Sequence, residues 1–569
     1  MSSDHRSPIV ERPNQAILWV RYLELADKIG DLDRIQRATQ ALRDHLESLP
    51  ALAGLRLLRV SKDLSDGAFA ASVLNACFAR DQIEETQALE CLQWACATLD
   101  HQRAQAVERC IAAKIEPAAR VEFDMTARRL LDGPEAAYSL ARVAYARAHN
   151  AKEAIRLAKA VAETGRTPLA TRYLRWAARR WPQDMRLRDA LFRACLNSGD
   201  MARAGDLLSK LNPYLSNPQK RARALDLLKA AGRFDEAWCA HQALERQDTR
   251  YAKSFECLRM NVFFGEVRDF RRLGYAVMAK HRHHLRATFL GSVADEKRIC
   301  DASRADVTAQ EVTRHDVTSY YHPAAEILRC LPRGLPDQEA AQSDRVRRIY
   351  QYWDKPDVPE MVGHIMQSWQ RIDGWSYQRF NRGDALAWLA QTFDGDHPRA
   401  FRMARRAAEQ ADFLRLCLLE AQGGLYVDAD DRLTGAPDAL LSGTRGAVFF
   451  FETFGCLSNN VLYAPPGHVV IKTAREMACA ALLRRDNDKV WLKTGPGLLT
   501  RALAGCVMDG LLSNTADPTK AVTLLPNDRL KRHVAPHIRL PYKQTDQNWA
   551  HSATSISREV VAAWDALLM

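Results

Sequence analysis

Several things are missing from this chain of 569 residues, and each absence removes a class of protein. No charge-free apolar run of 18 residues or more occurs, so no membrane-spanning helix is expected. No CxxC pair occurs either. Cys91 and Cys96 stand five apart, which is not a zinc-ligand spacing, and thirteen cysteines cannot all pair within one chain. Cys195, Cys239, Cys417 and Cys479 lie in apolar, helix-like text, where a reduced thiol acts as a small hydrophobe. Glycine (27) and proline (23) are too scarce for a fibrous or largely disordered chain. The opening MSSDHRSPIVERPNQ has no apolar stretch followed by a small-residue cleavage site, so no secretory signal is expected. Together these point to a reducing compartment: the cytoplasm, with at most peripheral association at the inner face of a membrane.

What is present is an ordinary globular composition, 47% hydrophobic and 26% charged, long enough for several domains. Lysine and arginine outnumber aspartate and glutamate by 81 to 69, a net charge of +12. That bias attracts anions. Arginine is nevertheless spread along the chain, with no RNA-binding signature or long basic tail, so nucleic acid is not an expected partner. Diphosphates, anionic glycans and membrane surfaces remain.

Residues 15–290 read as an all-α domain, rich in Ala and Leu with apolar residues at helical spacing. Gly133, Gly165, Gly199 and Gly232 are separated by 32, 34 and 33 residues, and each precedes a helix start. Ala170, Ala204 and Ala237 hold one register behind the last three. Such a period suits stacked pairs of antiparallel helices. The stretch resembles tetratricopeptide repeats, which implies a concave surface for a protein or glycan partner; a spacer or dimerisation arm is the alternative. Residues 291–345, with Pro323, Pro332, Gly334 and Pro336, read as an interdomain linker. His281, His283 and His284 fall in a basic helix end and are read as dipole partners rather than metal ligands.

From residue 346 to 569, strand-like text (VRRIYQYW, WSYQRFN, GLYV, GAVFFFETF) alternates with helical text, which implies an α/β layered domain with a mainly parallel sheet. Its most informative segment runs from Ala411 to Leu433. An apolar helix stops at Gly423-Gly424, Leu425-Tyr426-Val427 form a short buried strand, and Asp428, Asp430 and Asp431 follow at its carboxyl end. Open α/β sheets place ligands there. In an extended chain Asp428 and Asp430 would face the same side, toward one hard divalent ion such as Mn²⁺ or Mg²⁺. An acidic surface turn is the plain alternative.

The helix, double glycine, strand and DxD together resemble the sugar-binding region of DXD-containing glycosyltransferases. The related enzymes are the capsular-polysaccharide and yeast initiating mannosyltransferases (glycosyltransferase family 32) and, more distantly, the clostridial glucosylating toxins. Further blocks match in order: RRIYQYWDKPDVPE, QSWQRIDGWSYQRFN, SNNVLYAPPGH and KTGPGLLTRAL. The resemblance covers about residues 346–555 and implies a GT-A, Rossmann-like nucleotide-sugar-binding domain behind the helical-repeat domain. It implies transfer of a hexose from a UDP- or GDP-sugar to a glycan, lipid-linked glycan or protein acceptor, with retention of configuration. By the same likeness, Asp430 binds Mn²⁺ or Mg²⁺ and Asp428 contacts the ribose or sugar. Asp412 and Arg415 hold hexose hydroxyls, Tyr426 joins the donor-binding set, and Trp353 stacks on the base. Asn459 and Asn460 line the acceptor side, and His551, in DQNWAHSATS, completes the metal shell. The residues also admit plainer readings: Asp412 as a helix cap, Arg415 as its i,i+3 partner, Trp353 as core and His551 as a solvated loop side chain.

Two rivals use the same text. A haloacid-dehalogenase-type phosphatase would make Asp428 a nucleophile and Asp430 a general acid, but it wants a small Thr or Val where Arg432 stands. A non-catalytic scaffold with a degenerate transferase domain would bind a donor without transferring it.

Overall fold

The computed structural model describes residues 13–29, 31–61, 64, 66–264, 296, 312–329, 331–332, 334, 345–452, 455–486, 489–512, 517–544 and 558–568. Among these, no helix is long and apolar enough to cross a membrane. The chain forms two units, one of residues 1–143 with 539–569 and one of residues 144–538. This partition differs from the 15–290, 291–345 and 346–569 division read from the sequence.

The first unit is helical. Three of its helices begin where an aspartate side chain accepts an otherwise unpaired first-turn N–H: Asp31 from Arg34 (3.0 Å), Asp66 from Phe69 (2.9 Å) and Asp100 from Arg103 (2.9 Å). Their apolar faces meet in one core that includes Leu23, Leu42, Leu58, Phe69, Leu92, Ile111 and Phe123. The last helix of the chain, Arg558–Leu568, belongs to this core. Trp564 is fully buried there, edge-on to Phe78 and Trp94 at centroid distances of 5.5 and 6.2 Å.

The second unit opens with helical hairpins through Phe264. The expected turn glycines all have positive φ, between 76° and 87°, and Ala170, Ala204 and Ala237 are buried in the hairpins they follow. Positive φ is a region that only glycine enters without a Cβ penalty; Gly199 is an αL helix cap, whereas Gly133, in the first unit, has ψ of 176°. Cys239 is exposed, against the expectation of an apolar setting, whereas Cys195, Cys417 and Cys479 are buried free thiols as expected.

The rest of the second unit is an α/β domain. Its strands are β1 (Arg348–Tyr352), β2 (Ser376–Phe380), β3 (Gly424–Val427), β4 (Arg432–Leu433), β5 (Ala447–Phe451), β6 (Val461–Ala464), β7 (Val522–Pro526) and β8 (Val534–Ala535). Six of them form one sheet in the order β2-β1-β3-β6-β5-β7, and β4 pairs with β8 in a small second sheet. β1 runs parallel to β2 and β3, and β5 parallel to β7, while β6 is antiparallel to both neighbours. The sheet is therefore mixed, with one reversed strand, and is consistent with a GT-A-like domain.

Alternation along the strands builds a core on each face. Tyr350, Tyr426, Phe449 and Phe451 join one, Ile349, Leu425, Val427, Val448 and Phe450 the other. Two helices in the segment read as a linker, Arg314–Ser319 and Tyr321–Arg329, are part of the first of these cores through Val317, Ala324 and Leu328. These two helices are therefore part of the domain interior.

Candidate active site

The helix Ala407–Gln422 lies against the sheet and buries Asp412 and Arg415 along with its apolar residues. Gly423 and Gly424 then turn the chain into β3 with φ of 65° and 118°. A Cβ on Gly424 would stand 2.7 Å from the Arg348 carbonyl oxygen, and one on Gly423 2.7 Å from the Pro466 backbone nitrogen. The double glycine thus lets the strand enter the sheet within one residue of the helix end.

β3 delivers Asp428 to the carboxyl edge of the sheet. Its N–H donates to the Asn460 carbonyl at 2.8 Å, and its carbonyl accepts from Gln351 Nε2 at 3.2 Å. The first bond follows from register: Val427 pairs with Val461, which sets Asn460 opposite Asp428. The second ties the end of β1 to the end of β3, and the Tyr377 hydroxyl on β2 holds that glutamine at 2.9 Å. Trp353, directly after β1, is half-buried, and its N–H donates to the Phe380 carbonyl at 3.0 Å.

Arg415 is the hub of the buried charges. Its guanidinium donates to Asp428 Oδ1 at 2.9 Å and pairs with Asp412 Oδ1 at 3.2 Å, and it also donates to the Asn459 carbonyl. The Tyr426 ring lies beneath it, 4.5 Å from ring centroid to guanidinium carbon. Tyr426 therefore belongs to the core under Arg415 and reaches the site through that arginine. Asp412 also accepts from Asn459 Nδ2 (2.8 Å) and Thr494 Oγ1 (3.0 Å). Burial pushes Asp412 above the usual carboxylate range, with Arg415, Thr494 and Asn459 opposing. Burial pushes Asp428 up to about 7; Arg415 resists this, and the nearby Asp431 and Asp430 add to it. Burial acts to lower Arg415, but Asp428, Tyr426 and Asp412 outweigh it and hold the guanidinium above its ordinary value.

Beyond Asp428 the chain turns at Ala429-Asp430 instead of running on extended. The grouping that results differs from the one expected by alternation. Asp430 and Asp431, with His537, bring one ligand atom each to within 4.8 Å of one another, while Asp428 is engaged by Arg415. The fully buried Asp431 takes the Asn460 side-chain amide on Oδ2 and the His537 N–H on Oδ1 at 2.7 Å, and its carbonyl accepts from Trp369 Nε1 at 2.7 Å. The Asp430 carbonyl accepts from Ile538 N–H at 3.0 Å. His537 has φ of 54°, a sparsely populated conformation for a non-glycine residue, and its side chain is 57% exposed.

His537 was not anticipated. The available signal was a short apolar pair, Val534-Ala535, placing β8 beside β4 and the next residues against the acidic turn. The donor set of two carboxylates and one imidazole fits a divalent cation; with His537 as a ligand it favours Mn²⁺, and Mg²⁺ would be held by the two carboxylates alone. His551, with Asn548 and Trp549, lies outside the described residues, as do His281, His283 and His284.

Known proteins bear on this geometry. The family described as "glycosyltransferase sugar-binding region containing DXD motif" matches residues 355–447. That span holds the Asp412–Arg415 helix, the double glycine and the acidic turn, so the chain carries a glycosyltransferase-type sugar-binding region. Among solved structures it is similar to PaToxG Glycosyltransferase at 13% identity and a TM-score of 0.24, over 45% of this chain and 94% of that one; so low a score carries no argument. No curated protein matches the chain.

Proposed function

We propose that this protein is a metal-dependent glycosyltransferase that moves a hexose from a UDP- or GDP-sugar to a glycan, lipid-linked glycan or protein acceptor. The observation that carries the reading is a cluster of two carboxylates on one guanidinium (Asp412, Arg415, Asp428) beside an oxygen-rich candidate cation site (Asp430, Asp431, His537) at the carboxyl edge of β3. A divalent ion held there offsets the charge that develops on the diphosphate leaving group.

The protein's own side chains supply orientation. Asp428, fixed by Arg415, presents its free carboxylate edge to the donor's ribose or sugar hydroxyls. Asp412 has both oxygens engaged, so it reaches a hexose hydroxyl through spare lone pairs or by exchanging Asn459. Asn460 orients Asp431 and lies opposite Asp428, which suits a role at the acceptor side of the same edge. Trp353, at the end of the neighbouring strand β1, is placed to stack on the base.

The transfer is proposed as retaining, which the anomeric configuration of the product reads directly. A nucleophilic Asp428, the phosphatase alternative, is disfavoured by the Arg415 contact on its Oδ1. The helical hairpins, with their period of 32–34 residues, are proposed as the arm that binds the acceptor or a protein partner.

The test is hydrolysis of a panel of UDP- and GDP-sugars with and without Mn²⁺. Activity of the wild type with one donor, lost in Asp430→Ala, supports the reading. Undiminished activity of Asp430→Ala overturns it.

A further inference from the structure

A helical hairpin of the second unit holds a polar cluster that sugar transfer does not use. The helix Phe234–Gln247 carries His241 and Glu245 one turn apart, and the helix Phe255–Phe264 brings Cys257 and Asn261, again one turn apart, against them. One ligand atom each from His241, Glu245 and Cys257 lies within 4.8 Å of the others. His241 is fully buried and Cys257 almost so, whereas Glu245 is partly open to solvent. Trp238, Tyr251 and Phe264 wall the imidazole, with ring centroids at 5.4, 5.7 and 6.1 Å.

Among the described residues, Leu225, Ala237, Met260 and Phe263 form the apolar cluster beside this hairpin. Burying a thiol, a carboxylate and an imidazole together at that point adds a desolvation cost unless something repays it.

We propose that His241, Glu245 and Cys257 bind a zinc ion that staples the two helices together. A donor set of one sulfur, one nitrogen and one carboxylate oxygen suits Zn²⁺ and not Mg²⁺, which keeps to oxygen. A thiolate and a carboxylate neutralise the ion, and the neutral imidazole adds no charge, so the buried site has no net charge. Loading breaks the Cys257 S–H bond, the proton leaving to solvent as the S–Zn bond forms. The thiol already points at Glu245 Oε1, 3.4 Å away.

The second set of contacts is also in place. Nε2 of His241 now faces the Asn261 Oδ1 acceptor and so carries the ring proton; loading would move that proton to Nδ1, which then donates to the Tyr251 hydroxyl 2.9 Å away and leaves Nε2 as the ligand atom. Asn261 Oδ1, now 2.6 Å from Nε2, moves aside on loading. Its Nδ2 stands 3.2 Å from Glu245 Oε1 and 3.8 Å from Cys257 Sγ, so it remains as a donor to both acidic ligands. With three protein ligands, a water would complete a tetrahedral shell. This site is independent of the cation site at Asp430, which lacks sulfur.

The full-length chain is loaded with zinc, desalted and assayed by elemental analysis. About one equivalent should survive desalting. The double variant Asp430→Asn/Asp431→Asn should retain it, and Cys257→Ser and His241→Gln should lose it. Cobalt loading should give a thiolate charge-transfer band that disappears in Cys257→Ser. Wild-type protein that is folded by circular dichroism yet keeps no zinc overturns the proposal, as does Cys257→Ser that keeps as much zinc as the wild type. Should that variant fail to fold, Glu245→Gln serves in its place, and a cobalt-loaded wild type without a thiolate band is equally decisive.

Discussion

Arg415 and Asp428 meet at 2.9 Å across the junction of a helix and a strand, thirteen residues apart in sequence. The arginine is 3% exposed at its side chain and faces Asp412 as well, so one cation serves one buried and one half-buried carboxylate. Removing it would leave both without their main partner. An isolated buried charge costs far more than the pair returns. Arg415→Ala should therefore lower unfolding free energy by about 3–5 kcal/mol in a denaturant titration, whereas Asp428→Asn, which keeps the shape and leaves Asp412 on the arginine, should cost much less. Equal costs for the two would contradict the hub arrangement.

Substitution at the cation site should act on turnover and spare the fold. Asp430→Asn and Asp431→Asn are each expected to reduce Mn²⁺-stimulated donor hydrolysis by about 10²–10³-fold. His537→Ala should raise the Mn²⁺ concentration needed for half-maximal rate, because its exposed imidazole is the outer member of the set. Thermal unfolding of His537→Ala should stay close to that of the wild type.

His468 gives a pH signature away from the site. It caps the helix Val469–Leu483, its Nδ1 accepting from Val470 N–H at 3.3 Å and its Nε2 donating to the Ala521 carbonyl at 3.0 Å. Burial pulls its pKa from 6.5 down to about 4, against the opposing pull of Ala521 and Asp517. The unfolded chain thus binds more protons than the folded one between those values. Stability from this residue is complete above about pH 6.5 and is lost as pH falls toward 4, a slope with an integrated size on the order of 3 kcal/mol. His468→Gln should flatten that part of a stability-against-pH curve measured by urea unfolding.

Trp564 fills the core of the first unit from the far end of the chain. Trp564→Ala removes a fully buried indole and its edge contacts to Phe78 and Trp94. A loss of about 3–5 kcal/mol is expected for the unit that contains it. Hydrogen exchange should show protection falling in the helices Gly67–Phe78 and Glu85–Thr98. Unchanged protection there would place the helix elsewhere in solution.

Much of the architecture was legible locally. Dense apolar runs marked β1, β3 and β5, and the double glycine marked the entry to β3, because strands and tight turns are decided by neighbouring residues. The turn glycines at 133, 165, 199 and 232 were legible for the same reason. Long-range placement was not. Asp431 receives His537 from 106 residues away, through a two-residue strand too short to give a pattern. The helices Arg314–Ser319 and Tyr321–Arg329 are six and nine residues long, and they read as connector because so few turns show little periodicity. The acidic residues themselves were legible, but not which of them face one another: the chain turns at Ala429-Asp430, and alternation holds only while it stays extended.

Residues 1–143 and 539–569 share one core, so that core closes between the two ends of the sequence. During synthesis, the first helices would leave the ribosome with the seat of Trp564 still empty while roughly four hundred residues follow. Contacts of such separation form late and slowly. The apolar faces around Phe78 and Trp94 would stay open until the helix Arg558–Leu568 docks.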